Sequence, residues 1–200
     1  KVFFKVYAVG SSGDTTETYK FMYSLKPNEY CNASGESING NLYINNFSCA
    51  SVSNNGTGNT ASTFYPNKII SLNRNSTYNI SASFNTGWSS NDLVAWIDYN
   101  KDSYFDQSEI IVFDSNTGSD AAGSFTVPDD AVEDTVLMRV RLGYWDGFDN
   151  PCGTTLGEVE DYPVVINPAF PPGRKVLFIG IDGCRWDALQ ASNTPSIDSL

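Results

Sequence analysis

Apolar residues along this chain recur mostly at every second position, the period of strands rather than of helices. Tyr78, Ile80, Ala82 and Phe84 alternate with polar residues. So do Val136, Met138, Val140 and Leu142, which set Arg139 and Arg141 on the opposite face. Residues 93–97 are continuously apolar and read as a central strand. Residues 42–44 form a shorter strand, and the Ser/Asn/Gly-rich stretch 51–62 reads as loop. Near the start, residues 3–9 and 19–23 flank a polar turn at 10–14, which is a hairpin pattern. Short strands with turn signals between them, and no convincing helical period, predict a mainly β protein. Its centre is an antiparallel β-sandwich module over residues 26–167.

The pattern changes after Ile166. Pro168, Pro171, Pro172 and Gly173 make residues 168–174 a linker, because proline cannot donate to a sheet and restricts its neighbours. Residues 176–181 then read as a buried, parallel-type strand, and 182–189 as a turn into a short helix. Residues 175–200 are therefore expected to be the truncated first strand–helix unit of an α/β domain. Lys1 opens directly on a strand-like run and Leu200 falls inside a pattern, so the chain is expected to be a slice of a longer protein. The run 176–181 is far too short to span a membrane.

Charge narrows the function classes. The net charge is −11, with 12 basic residues and no histidine. A surface this acidic repels phosphate backbones, which argues against nucleic-acid binding. The lack of histidine removes the commonest general base and a common zinc ligand. The four cysteines, Cys31, Cys49, Cys152 and Cys184, form no C-x-x-C pair, so a zinc ribbon is not expected. Their wide spacing fits one disulfide in an exported domain.

The chemistry concentrates in residues 98–109. Asp98, Asn100, Asp102, Asp106 and Glu109 place oxygen side chains at loop positions one, three, five, nine and twelve, and the backbone carbonyl of Tyr104 stands at position seven. That is the ligand spacing of an EF-hand loop, which wraps oxygens around one Ca2+. Glu109 is placed to bind bidentately. Position six is Ser103 rather than the glycine that eases the sharp turn, and no helices flank the loop. The expectation is a calcium loop between strands, and the alternative reading is a plain polar turn.

A family resemblance rests on Tyr30-Cys31, residues 94–102, Met138-Arg139-Val140-Arg141 and the closing Gly157-Glu158-Val159-Glu160-Asp161-Tyr162. Together, over residues 30–166, they resemble the GEVED domain, a β-sandwich module of secreted bacterial multidomain proteins. The resemblance implies a secreted or cell-surface location, a non-catalytic accessory role and other domains of the same parent chain as partners. It defines no ligand. Glu158, Glu160 and Asp161 are candidate accessory partners for the cation, or for Arg139 and Arg141. Of the cysteine pairings, Cys31–Cys152 is favoured because it joins the first and last strands of the module, with Cys49 the alternative for either partner and Cys184 free in the next domain. Residues 1–25 loosely resemble the last two strands of a fibronectin type III domain.

A second resemblance begins in residues 176–189 and continues through Thr194-Pro195 to Leu200. It is to the opening of the alkaline phosphatase superfamily, nearest the nucleotide pyrophosphatase/phosphodiesterase branch. It implies that Asp182 is one ligand of a two-zinc site, in a parent protein that hydrolyses phosphoric esters. The nucleophile and the remaining ligands would follow Leu200, so this chain alone has no catalytic residue. The competing expectation is a binding or spacer module for a glycan, a protein or a cell surface, for which Trp88, Tyr144 and Trp145 supply aromatics while Trp96 belongs to the core.

Overall fold

The computed structural model describes residues 2–9, 15–22, 30–36, 41–144 and 150–170. The chain falls into two units, Lys1–Phe170 and Pro171–Leu200, and the described residues belong to the first. Asp182, Cys184 and the expected strand–helix unit of residues 175–200 lie outside the described residues, as does Trp145.

The protein is mainly β. In chain order the strands are β1 (Val2–Val9), β2 (Thr15–Met22), β3 (Ala33–Glu36), β4 (Tyr43–Cys49), β5 (Val52–Asn55), β6 (Ser62–Phe64), β7 (Ile70–Asn73), β8 (Thr77–Asn85), β9 (Asn91–Ile97), β10 (Ile110–Thr117), β11 (Asp120–Thr126), β12 (Thr135–Tyr144) and β13 (Gly153–Asn167). A single 3-10 turn, Gln107–Glu109, interrupts them among the described residues. Strands β1 and β2 pair antiparallel as a two-stranded sheet of their own. The others form a four-stranded sheet ordered β11-β8-β4-β5 and a seven-stranded sheet whose main path is β10-β9-β12-β13-β3.

Alternation builds the sandwich. Ile44, Phe47, Cys49, Ile80, Ala82, Phe84, Ala121 and Phe125 from the smaller sheet meet Leu93, Ala95, Ile97, Val136, Met138, Val140 and Leu142 from the larger one in a single core. Strand β9 is buried along its whole length, because the outer face of its sheet is covered as well. There a second cluster joins Tyr30, Val94, Trp96, Phe105 and Leu137. This cover explains why residues 93–97 are apolar at every position. It also places Arg139 and Arg141, only 3% and 2% exposed, beneath protein rather than water.

Two expectations are corrected. The sandwich is not purely antiparallel. One edge of the 15-residue strand β13 pairs antiparallel with β12, while its other edge is served in turn by the short parallel strands β3, β6 and β7. A strand this long would otherwise expose a row of unpaired backbone groups. Residues 51–62 are not all loop either. Strand β5 folds back on β4 through Ala50 and Ser51, with Ala50 at φ 51, so a polar Ser/Asn segment of weak intrinsic preference is held by its hairpin partner.

Candidate functional site

The acidic loop leaves the end of β9 and returns at β10. Asp98 is fully buried and is its hub. Its Oδ1 accepts the Asp102 N–H at 3.2 Å, and its Oδ2 accepts the Ser103 N–H at 3.1 Å and the Tyr30 hydroxyl at 2.6 Å. Asn100 Oδ1 accepts the Asp102 N–H at 2.9 Å, and Asp102 Oδ1 accepts the Tyr104 N–H at 2.9 Å. Asn100 Nδ2 donates to Asp102 Oδ2 at 3.0 Å. At the far end Glu109 Oε1 accepts the N–H groups of Tyr99 (2.8 Å) and Asn100 (3.3 Å), and Oε2 accepts that of Asp106 (3.0 Å). Burial, reinforced by the charge of Asp98, holds the Glu109 carboxyl above the usual range despite these N–H donors.

The backbone turns sharply at two places, Lys101 (φ 60) and Ser103 (φ 69). Ser103 thus occupies the left-handed conformation that its position in the loop demands, although a side chain makes that conformation costly. Phe105 pins the loop from the other side. It stacks on Tyr30 with ring centroids 5.2 Å apart, tilts against Trp96 at 6.3 Å and lies 5.2 Å below the guanidinium of Arg139. Tyr104 beside it is 72% exposed. Lys101 pairs with Asp134, and that partner, with the Thr135 N–H, offsets partial burial and holds the Asp134 carboxyl below its usual value.

A carboxylate has about four lone-pair directions, which decides what the loop can still bind. Asp98 Oδ2 and Glu109 Oε1 each accept two donors already. Asp98 Oδ1, Glu109 Oε2, Asn100 Oδ1 and both Asp102 oxygens accept one each. In this arrangement Glu109 offers a cation one oxygen rather than two. Among the described residues no three acidic or cysteine side chains converge into a group able to hold a metal.

The closing motif is built differently. Gly157 (φ 153) faces Gly143 on β12, and a Cβ there would lie 2.0 Å from the Leu142 carbonyl oxygen. On its other side a Cβ on Gly35 would lie 1.9 Å from the Gly157 oxygen. The backbones approach too closely for any side chain. Along β13 the next residues alternate. Glu158, Glu160 and Tyr162 turn into the sandwich, and Asp161 turns to the outer layer.

Glu158 Oε2 accepts the Ile44 N–H at 2.7 Å, and Oε1 accepts the Thr60 N–H (3.0 Å) and hydroxyl (2.5 Å). Glu160 accepts the hydroxyls of Tyr162 (2.6 Å) and Tyr65 (3.3 Å), and Tyr162 in turn accepts from Asn54 Nδ2 at 3.0 Å. The Tyr162 ring lies between Phe47 and Tyr65, with centroids at 4.5 and 5.2 Å. Burial raises the Glu158 carboxyl. Burial first, then the charge of Glu158, pushes Glu160 up to about 7.

Asp161 takes the two-pronged guanidinium of Arg139, from Nε at 2.9 Å and Nη2 at 2.8 Å, in a buried ion pair. Arg139 Nη1 also donates to the carbonyls of Cys31 (2.9 Å) and Pro151 (3.1 Å). Arg141 donates to the carbonyls of Asn150, Cys152 (2.6 Å) and Gly153 (3.3 Å). The two arginines thereby hold both ends of the disulfide that joins Cys31 to Cys152. Cys49 is a free, buried thiol, pushed up to about 12 by that burial.

Of the candidate accessory acids, Asp161 therefore meets Arg139, while the hydrogen bonds of Glu158 and Glu160 run to β4, the Thr60 segment and two tyrosines. Tyr30 and Phe105, which position the acidic loop, were not identifiable as such from sequence. Tyr30 stands 68 residues from the aspartate it binds. The adjacent Cys31 was the one signal that this stretch is fixed in place. Trp88 and Tyr144 pack on one another at 5.2 Å beside the core.

No curated protein matches the chain. Among solved structures, the CARDB domain of a Pyrococcus furiosus protein, described as a complex with di-metal ions, is 11% identical. It covers 50% of this chain and 86% of its own, at a TM-score of 0.30, too low to support any inference. The family model that matches is the GEVED domain, over residues 92–165, the span from β9 to β13 that contains both the acidic loop and the closing motif.

Proposed function

We propose that this chain is the accessory β-sandwich module of an exported bacterial multidomain protein, and that its loop 98–109 binds Ca2+ and so stiffens the module. The observation that carries the proposal is the loop's arrangement. A buried Asp98 folds two backbone N–H groups around itself, and the left-handed residues Lys101 and Ser103 bring Asn100, Asp102 and Asp106 to the surface as exposed oxygen donors. Calcium needs roughly six to eight oxygens; positions one, three, five, seven, nine and twelve carry six, and binding requires them to draw together from an arrangement in which, among the described residues, no three acids converge. Binding requires Asp98 and Glu109 to share oxygens that now accept N–H groups. The disulfide fits an oxidising compartment, and among the described residues no helix is long and apolar enough to cross a membrane.

Calorimetric titration of the chain with CaCl2, with MgCl2 as control, tests the loop. Saturable heat and a melting temperature that rises with calcium are expected, because a ligand of the native state alone stabilises it. Neither heat nor a shift would reduce the loop to a turn. In the same reading residues 175–200 open a two-zinc phosphoric ester hydrolase domain with Asp182 as its first ligand. Sequence beyond Leu200 lacking a Ser/Thr nucleophile and Asp/His ligands would remove that part.

A second reading, a binding module for neutral glycans, is favoured by the smaller sheet. Its four strands carry one charged residue, Asp120, in a chain of net charge −11. Asn46, Ser48, Ser53, Ser81, Ser83 and that same Asp120 line a shallow depression of about 470 Å³ on its outer face. Silence on an array of neutral glycans would reject this reading.

A further inference from the structure

We propose that the Cys31–Cys152 disulfide controls the acidic loop through Tyr30, so that reducing the bond loosens the loop while the sandwich stays folded. The calcium consequence rests on the reading of the loop given above, but the mechanical link does not.

The link is a continuous set of contacts on the outer face of the larger sheet. Tyr30 does two things for the loop. Its hydroxyl donates to Asp98 Oδ2 at 2.6 Å, and its ring stacks on Phe105. It is itself 7% exposed, and no other side-chain hydroxyl donates to Asp98 among the bonds described. Tyr30 packs with Val94, Trp96, Phe105 and Leu137, and the next residue ties it covalently to the start of β13. Cys31 is bonded to Cys152 across 121 residues of sequence, and its carbonyl accepts from Arg139. The following residues are fixed mainly through backbone: β3 is a four-residue parallel strand on β13, the Gly153 N–H donates to the Asn32 carbonyl at 2.8 Å, and the Gly35 N–H donates to that of Ala61 at 2.6 Å. In the folded chain the bond is the covalent tie between this edge and the start of β13, and cutting it removes that tie, while the chain freedom of the long closure belongs chiefly to the unfolded ensemble. The interior of β12 and β13 keeps its own ladder and its Arg139–Asp161 pair.

Reduction by dithiothreitol places two electrons and two protons on the S–S bond, giving the Cys31 and Cys152 thiols. The reagent's two thiols close into a cyclic disulfide. Neither cysteine is fully buried, which leaves the bond open to exchange.

The test is amide hydrogen exchange on the whole chain, oxidised and reduced, in wild type and Tyr30→Phe. The reporters are the Asp102 and Ser103 N–H groups, which donate to Asp98. Both reduction and Tyr30→Phe are expected to speed their exchange about tenfold, the size of losing one hydrogen bond to a charged group. Reducing the Tyr30→Phe variant is expected to add little, because both changes cut the same link. Amides of β12 stay protected throughout. Unchanged exchange at Asp102 and Ser103 on reduction, or effects that simply add, would overturn the proposal. So would loss of β12 protection, which would make the disulfide a global staple. Calcium titration of the same four samples reads the site itself, with weaker binding expected in step with faster exchange. If wild type binds no calcium, the loop reading fails and the exchange data still decide the link.

Discussion

Residues 98–109 carry Asp98, Asp102, Asp106 and Glu109, and residues 157–162 carry Glu158, Glu160 and Asp161. In the first group the middle of the loop is exposed, and Asn100 Oδ1 and Asp102 Oδ1 each accept a single backbone N–H. In the second every carboxylate is buried and claimed, Glu158 by Ile44 and Thr60, Glu160 by two tyrosines, Asp161 by Arg139. The same residue type thus serves two ends. At a turn it presents oxygen outward. Inside a sandwich it fastens strand β13 to its neighbours, because a buried charge left unpaired is too costly to keep.

The largest test of that contrast is Asp161→Ala. It strands Arg139 beneath the outer layer and is expected to cost about 3–5 kcal/mol in urea unfolding. A loss under about 1 kcal/mol would mean that the Cys31 and Pro151 carbonyls suffice for the guanidinium. Gly157→Ala comes next, at about 3 kcal/mol, because its Cβ would meet the Leu142 carbonyl and backbone must move. A normally stable alanine variant would show that β12 and β13 can separate there.

Glu160 sets a pH dependence. Its carboxyl is pushed up to about 7 in the folded state, above its unfolded value near 4.5. The native state therefore holds the proton more tightly, so its contribution is complete below about pH 4.5 and is lost as pH rises through 7. The expected fall approaches about 1.4 kcal/mol per pH unit within that window. Glu158 and Glu109, also raised, act in the same direction, and Asp134, lowered, opposes them at more acidic pH. Glu160→Gln should flatten melting temperature against pH between 5 and 7, and an unaltered slope would place the titration elsewhere.

Smaller effects belong to the acidic loop. Ser103→Gly relieves a side chain at φ 69 and is expected to add about 1 kcal/mol of stability, together with tighter calcium binding. A destabilised glycine variant would mean that the serine side chain is needed. Asp106→Asn should shift calcium-free stability by less than about 0.5 kcal/mol, as exposed substitutions do, while weakening the calcium titration. An equal change with and without calcium would place Asp106 outside the site.

Much of this contrast could be read before the fold was known, but unevenly. Alternation at Tyr78–Ile80–Ala82–Phe84 and at Val136–Leu142 identified strands and their inner faces, because period two survives any tertiary context. Spacing identified the acidic loop as a unit. The polar strand β5 escaped because its partner, not its composition, makes it a strand. The roles of Glu158 and Glu160 escaped because both acceptor and donor must be seen, and Ile44 lies 114 residues from Glu158.

The sequence by itself determined what is local: strand periods, the oxygen pattern of residues 98–109, the proline-rich stretch near residue 170 and an acidic chain without histidine. Tertiary structure alone decided which acids are free and which are fastened. It also decided that Arg139 and Arg141 lie buried, that three short parallel strands complete the edge of β13, and that Tyr30 reaches Asp98. Each of these depends on desolvation and on partners distant in sequence. A carboxylate's chemistry follows from how much water it keeps and which donors face it, and neither is set until the two sheets close.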